Sequence, residues 1–469
     1  MEFDKVVEEV LKRVKPSERE RKEVNEISVF ILDILKKLVK KHELEEKVRV
    51  EIEGSFAKDT WLSEDVDLDI FLLFNISFPL DLLRKYGLML GEELAEKLGV
   101  NPVRRYASHP YIELNYGKVK IDIVPAYDVP SSKDVRTPVD RTPFHTRYIR
   151  NVISKRPELK DEIRLLKRFT KGIGIYGAEI KTEGFSGYLI EILVTYYGSF
   201  KDTVVAASTW KPWRTVIDLE GYYENKEIDV FKMFRAPLIV IDPIDEKRNA
   251  ASAVSLEKLS LFVLACKEFL KTPSISFFYP HSPSIDVEKI KRELYEQNVI
   301  AIKTLIPSLP EDVLWGQVKR SLQGITDLLH RYGFRVFDTS AWTKGNILVM
   351  LFKLKYLERS KIEEHKGPPI YLDNSLTFIS LNEKRSDVIS GPYVKGDRLV
   401  VLRRVKYSKA EDVIKEKLNE AKLGKLISKY LKENIDVLKG ANIVDISPEK
   451  EYLQYLYRWL TRRLPWRSH

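Results

Sequence analysis

Residues 66–74 read Val66-Asp67-Leu68-Asp69-Ile70-Phe71-Leu72-Leu73-Phe74, a segment with few ways to fold. Alternate side chains of a strand share a face. Asp67 and Asp69 therefore project together, while Val66, Leu68 and Ile70 project to the other side. Two carboxylates on one face of a strand that runs on into an apolar stretch are costly unless cations neutralise them. Further along, Lys120-Ile121-Asp122-Ile123-Val124 sets another acid inside an alternating apolar strand. Three carboxylates converging from two neighbouring strands make a hard, oxygen-rich site suited to Mg2+. Two such ions, about 3.5–4 Å apart, would clamp the attacking and leaving oxygens of a phosphoryl displacement. Upstream, Gly54 lets the backbone approach a phosphate, and the Ser55 hydroxyl and amide can bond its oxygens. Lys58 adds positive charge one turn later.

The surrounding pattern predicts a mixed first block over residues 1–150. Ser17 and Glu20 have capping-box spacing, and Ile27, Phe30, Ile31, Ile34, Leu35 and Leu38 then recur at helical spacing. Residues 48–53 alternate as a strand, a helix is predicted at 80–98, and segments 111–114 and 119–124 pair as a hairpin about Asn115-Tyr116-Gly117. The second block, 151–275, reads as helical. The third, 276–469, opens with a connector rich in Pro, Ser and aromatics, then predicts a small α/β sandwich and a basic, mostly helical tail. The fold class expected is α+β and multidomain.

Composition narrows the function classes. The single cysteine, Cys266, lies in an apolar run and is expected to be a buried structural thiol; disulfides within the chain and cysteine-rich zinc sites are excluded. The charged amino terminus and the lack of a long apolar run argue against a secretory signal or membrane span and point to the cytoplasm. With 79 Lys and Arg against 69 Asp and Glu, the formal charge of +10 favours a polyanionic partner, because neutralising phosphates releases counterions. Arg403-Arg404 with Lys406, and Arg458 to Arg463 with Trp459 and Trp466, are the segments expected to track nucleic-acid phosphates.

Gly-Ser, a spacer, Asp-x-Asp and a later single Asp resemble the signature of the DNA polymerase β-like nucleotidyltransferases. Poly(A) polymerases and oligoadenylate synthases share that much, so it does not separate them. A relative that only binds RNA would be expected to lack a carboxylate, and all three stand here. Further segments are Asp140-Arg141-Thr142-Pro143-Phe144-His145, Arg164-Leu165-Leu166-Lys167, Gly174-Ile175-Tyr176-Gly177-Ala178-Glu179, Gly184-Phe185-Ser186-Gly187-Tyr188 and Asp242-Pro243-Ile244-Asp245-Glu246-Lys247-Arg248-Asn249. In this order they resemble the archaeal, class I CCA-adding enzymes.

That resemblance implies a polymerase β-like catalytic (palm) domain over 1–150, a helical nucleotide-binding domain over 151–275, and a tRNA-binding body and tail over 276–469. It implies template-independent addition of C, C and A to a tRNA 3′ end from CTP and ATP, with release of pyrophosphate. Asp67, Asp69 and Asp122 match the family's Mg2+-binding carboxylates; some relatives carry Glu where this chain has Asp67, and either acid ligates metal. Ser55 and Lys58 match contacts to nucleotide phosphates. His145, Lys167 and Tyr176 match positions that hold the triphosphate and sugar. Arg248 matches an arginine near the base, where its fork of donors would read acceptor atoms common to C and A. The implied partners are ATP, CTP and the acceptor arm of tRNA, and a homodimer is expected by analogy alone.

Overall fold

The computed structural model describes residues 2–63, 65–106, 109–224, 230–281 and 284–467. They divide into two compact units: Met1–Ser282 with Pro310–Val313 and Arg463–His469, and Pro283–Leu309 with Leu314–Arg462.

The first unit begins with helices α1 (Glu2–Val14) and α2 (Glu18–Lys41). Ser17 and Glu20 close a reciprocal capping box at the start of α2. Strand β1 (Val48–Glu53) runs into a one-turn helix, α3 (Gly54–Ala57), and then β2 (Val66–Asn75). Helix α4 (Leu80–Leu98) is followed by β3 (Val103–Tyr106), β4 (Pro110–Tyr116) and β5 (Val119–Asp128). The sheet order is β1-β2-β5-β4-β3. Only β2 and β5 pair in parallel; the other neighbours are antiparallel.

Alternation along β2 decides what each face does. Leu68, Ile70, Leu72 and Phe74 enter a core shared with Ile31, Leu35 and Leu38 of α2 and Leu83, Leu90 and Leu94 of α4. On α4, a Cβ at Gly87 would fall 2.6 Å from Pro125 and one at Gly91 2.7 Å from Ile112, so these glycines bring the helix down onto the sheet. The opposite face of β2 carries Asp67 and Asp69 and, beyond them, a small apolar cluster of Phe71, Leu73 and Ala126.

The chain continues through α5 (Thr142–Lys155), α6 (Leu159–Gly172), α7 (Gly187–Tyr197), α8 (Phe200–Ala207), β6 (Val216–Asp218), α9 (Val230–Phe234), β7 (Ile239–Asp242), β8 (Asp245–Asn249) and α10 (Leu256–Lys271). Helix α1 joins these helices around Phe169, Phe185, Phe200, Phe262, Phe269 and Phe278. Cys266 is buried in this core. The helical pattern expected here is interrupted by the three-stranded sheet β6-β7-β8, whose strands of three to five residues are too short to register as a period.

The second unit contains α11 (Val287–Glu296), β9 (Val299–Leu305), α12 (Glu311–Arg331, whose first residues belong to the first unit), β10 (Val336–Lys344), β11 (Ile347–Leu354), β12 (Ile362–Pro369), α13 (Asn374–Glu383), β13 (Val388–Lys395), β14 (Arg398–Arg404), α14 (Ala410–Lys417), α15 (Ser428–Glu433), β15 (Asp436–Lys439) and α16 (Lys450–Thr461). The antiparallel sheet β10-β11-β9-β15 is covered on both faces. Ile300, Ile302, Leu348 and Met350 pack with Val318, Ile325 and Leu328 of α12. Val299, Ala301, Val349 and Leu351 pack with residues of α11 and α16. A second sheet, β12-β14-β13, carries α13.

Candidate active site

Parallel pairing sets Asp69 opposite Asp122 and Asp67 opposite Lys120. Antiparallel neighbours extend the first of these rows: Glu53 of β1 is opposite Asp69, and Glu113 of β4 is opposite Asp122. Four acids thus stand in one row across four adjacent strands. Burial, with the charges of Asp122 and Asp67 beside it, pushes the Asp69 carboxyl up to about 7. Burial also raises Asp122 to about 6 and Glu53 to about 7. It raises Asp67 as well, against the pull of Lys120. Lys120 Nζ stands among the acids, 3.2 Å from Asp122 Oδ2, 3.5 Å from Glu113 Oε2 and 3.8 Å from Asp67 Oδ1. Burial works against its charge, yet the three carboxylates hold its proton more tightly than usual.

Gly54 ends the row's first strand at φ +70°, and a Cβ there would fall 1.7 Å from Asp69 Oδ2. Among the described residues, no three His, Cys, Asp or Glu side chains are gathered as a ready metal cluster. The donor set nevertheless fits a hard divalent cation. It is all oxygen, its charges are disfavoured by burial, and Asp122 Oδ1 is buried with no hydrogen-bond partner among the described residues.

The segment after Gly54-Ser55 is clamped to α6. Arg164, 1% exposed, donates to the backbone carbonyls of Asp59 and Trp61 and pairs with the Asp59 carboxylate. One turn on, Lys167 reaches Thr60 Oγ1 at 3.0 Å and Glu191 Oε1 at 3.2 Å. Lys58 takes the other oxygen of Glu191 at 2.6 Å, and Thr60 Oγ1 donates to Oε1. Two ammonium groups therefore share one buried carboxylate. Burial pushes Lys167 down to about 8. Burial opposes the charge of Glu191 too, but Lys58 and Lys167 overcome it and hold the carboxyl down at about 2. Tyr176 converges on the same spot: a Cβ on Gly187 would lie 3.1 Å from its hydroxyl and 3.7 Å from Lys167 Cε. Burial, reinforced by Glu191, Asp67 and Asp69, keeps the phenol protonated. Ser55 is half-buried in the turn, where its carbonyl accepts from Thr60 N.

Asp242, fully buried at the end of β7, organises a further group. Its Oδ2 accepts from Arg248 Nη1 at 2.6 Å and lies 3.1 Å from His145 Nε2. Its Oδ1 accepts from Tyr188 Oη at 2.9 Å and Ile244 N at 3.1 Å. The His145 and Tyr188 rings stack with centroids 3.7 Å apart. Burial opposes the charge of Asp242, but His145 and Arg248 hold it down at about 2. Burial lowers His145 against the pull of Asp242. Lys58 ties the groups together: its charge acts on Asp69, on Glu191 and on His145.

Three family models match the chain in order: "Nucleotidyltransferase domain" over 31–145, "tRNA nucleotidyltransferase, second domain" over 161–279, and "CCA-adding enzyme, C-terminal domain" over 297–440. The chain is 39% identical over 433 residues to the CCA-adding enzyme of Sulfurisphaera tokodaii, covering 92% of this chain and 96% of that one. The chain belongs to the CCA-adding enzymes. It is 33% identical over 464 residues to the CCA-adding enzyme of Methanosarcina barkeri, covering 96% and 97% of the two chains. Among solved structures, the Cid1 poly(U) polymerase matches with a TM-score of 0.45 at 16% identity, over 58% of this chain and 95% of that one.

In this member of the CCA-adding family, three side chains that organise the site carried no role in the sequence reading. Glu191 interrupts the apolar run Leu189-Ile190-Glu191-Ile192-Leu193, and a charge in such a run demands a buried cationic partner. Asp242 ends the apolar strand Ile239-Val240-Ile241 and signals the same demand. Lys120 is hidden in the alternation that reveals Asp122. One expectation is overturned. Trp459 and Trp466, expected along nucleic-acid phosphates, are each 4% exposed. Trp459 lies in the core beside α11, and Trp466 stacks on Phe277. Indole area is removed from water at both positions, so apolar packing outweighs surface recognition there. The neighbouring Arg462 is paired with Asp338. No described helix is long and apolar enough to cross a membrane.

Proposed function

We propose that this chain adds C, C and A, without a template, to the 3′ end of tRNA, taking the nucleotides from CTP and ATP and releasing pyrophosphate. Membership of the family supports the reaction. The observation that carries the chemistry is the opposition of Asp69 and Asp122 on adjacent strands beside Gly54. Asp67, Asp69 and Asp122 would hold Mg2+, which when bound supplies Lewis-acid polarisation and charge compensation for phosphoryl transfer.

The remaining chemistry belongs to the protein. Ser55 offers its hydroxyl to a phosphate oxygen at the turn. Lys58 and Lys167 share Glu191 as their ion-pair partner, which leaves that pairing with surplus positive charge for the triphosphate. Tyr176 stays protonated and can donate to a sugar or phosphate oxygen. His145 donates Nε2–H to Asp242, leaving Nδ1 as an acceptor for a sugar hydroxyl. Arg248 faces the base with donors. Positioning and charge stabilisation supply most of the catalysis.

Residues 1–150 are read as catalytic, 151–275 as nucleotide-binding and 276–469 as tRNA-binding. In the last of these, Arg403, Arg404 and Lys406 line a cavity of about 540 Å³ together with Arg331, Arg359 and Arg385; Glu363 and Asp387 pair with some of these cations and leave a lining with a surplus of positive charge, suited to RNA phosphates. A cytoplasmic location and a homodimer complete the reading by family analogy. The deciding assay incubates the protein with tRNA lacking its terminal trinucleotide. CTP alone adds two residues, and CTP with ATP adds three. A long adenosine tail would identify a poly(A) polymerase instead.

A further inference from the structure

The structure assigns Asp242 as the positioning residue through which Arg248 selects the incoming base; this rests on the reading of Arg248 given above. Asp242 is fully buried and both its oxygens are occupied by protein donors, so it does not itself meet the nucleotide. Its reach is through Arg248, whose side chain is 34% exposed and whose Nη1 it holds at 2.6 Å. A guanidinium is a planar fork. With Nη1 pinned and the stem anchored on β8, the directions open to the Nη2 edge are narrowed.

The Asp242 carboxylate is in turn over-determined. Ile244 N and Tyr188 Oη hold Oδ1, while the His145 ring that shares Oδ2 is stacked on Tyr188. The strands behind it are fastened by Asn249, whose side chain bonds the backbone at Leu238, Val240 and Ala251. Arg248 is therefore a row of donors tethered at one end to a rigid mount.

A tethered row of donors sorts nucleobases by chemistry. Cytosine N3 and adenine N1 are acceptors beside an amino group. Uracil N3 and guanine N1 carry a proton instead and would meet the arginine donor against donor. A tethered donor cannot freely turn away to relieve that conflict, whereas one on a loose side chain can. A site built around a committed polar group rejects the mismatched ligand strongly because its own group is left unpaired. Asp242 thus converts an arginine that merely attracts a base into one that excludes U and G.

The test compares CTP with UTP on tRNA lacking its terminal trinucleotide, using the full chain as wild type, Asp242→Asn, Arg248→Ala and the double variant. Asparagine keeps the shape but places an amide where Arg248 and His145 need a carboxylate. The ratio of kcat/KM for CTP to that for UTP is expected to fall about 10-fold or more in Asp242→Asn, on top of any loss of kcat that follows from the altered bond to His145. Arg248→Ala is expected to lose the same selectivity, and the double variant to lose no more than either alone. A folded Asp242→Asn that keeps the wild-type ratio while Arg248→Ala loses it overturns the assignment and leaves the reading of Arg248 standing. An unchanged ratio in Arg248→Ala removes that reading and the assignment with it. If Asp242→Asn does not fold, Tyr188→Phe decides: it removes one of the two donors that hold Oδ1 without touching Arg248, and an unaltered ratio rejects the assignment.

Discussion

Gly54 closes on Asp69 so tightly that no side chain fits between the turn and the acid. The left-handed backbone at residue 54 and the carboxylate on the next strand are therefore one fitted contact, with two independent reasons for glycine. Gly54→Ala should cost about 1–2 kcal/mol from its backbone conformation alone. The added methyl also displaces Asp69, so nucleotide addition should fall on the order of 100-fold, as when a positioned charge is lost. Steady-state kinetics beside a thermal melt would separate the two effects; full activity would show that Asp69 tolerates displacement.

Acids pushed up by burial bind protons where they would otherwise bind a cation. At low pH, protons occupy Asp69 and Asp122; as pH rises past about 6 and 7 the carboxylates ionise and a divalent ion gains its ligands. Mg2+ should accordingly raise the melting temperature more at pH 8 than at pH 5, and chelation should reverse the gain. The same titration on Asp69→Asn should show a reduced gain. A pH-independent Mg2+ effect, or none in the wild type, would argue against ligation by these acids.

Lys167 gives the reaction an alkaline limb. Its folded pKa, lowered to about 8, means that free protein loses this charge as pH rises through that value. The profile of kcat/KM should decline there, since it reports groups of the free protein. Lys167→Arg keeps a permanent charge and should lose that decline even where its overall rate is lower.

Glu191 acts on stability in the acid range. Its folded pKa lies at about 2, below its ordinary 4.5, so its contribution is fully present above pH 4.5 and is lost as pH falls toward 2. Asp242 behaves in the same way. Glu191→Ala leaves two buried ammonium groups without a counter-charge and should destabilise the fold by about 3–5 kcal/mol at neutral pH. Urea unfolding at pH 7 and pH 3 measures both, with a smaller difference between the pH values expected in the variant.

RNA binding should weaken steeply with salt. Each phosphate contact removed lowers the slope of log affinity against log salt by about one. Arg404→Ala should therefore reduce the slope with tRNA by about one and weaken binding to many sequences alike. Filter binding across a salt series decides this, and a flat dependence would dismiss the cationic cavity as an RNA surface.

The elements most legible in the sequence are those whose period spans several residues with a clear change of polarity. The strand at 48–53 and the helix at 80–98 match their observed limits. The acids at 67, 69 and 122 were readable because two periodic strands carried them; their side-by-side pairing is a tertiary fact of the β2/β5 crossover. Asp242 and Glu191 show the opposite case. Each sits in an apolar run and signals a missing partner, yet the partners lie 6 to 133 residues away in sequence, at Arg248 and Lys58. Periodicity carries no information about such pairings. Strands β6 to β8 were hidden by their brevity, and the buried tryptophans by their basic neighbours.

Trp466, near the carboxyl end, stacks on Phe277 and bonds Glu268, inside the same aromatic core that receives Val10 and Val14 of α1. A ribosome building this chain makes α1 before the second unit and Trp466 after it. The unit that holds the nucleotide site must accordingly wait, with part of its interior uncovered, until the sequence of the other unit has emerged.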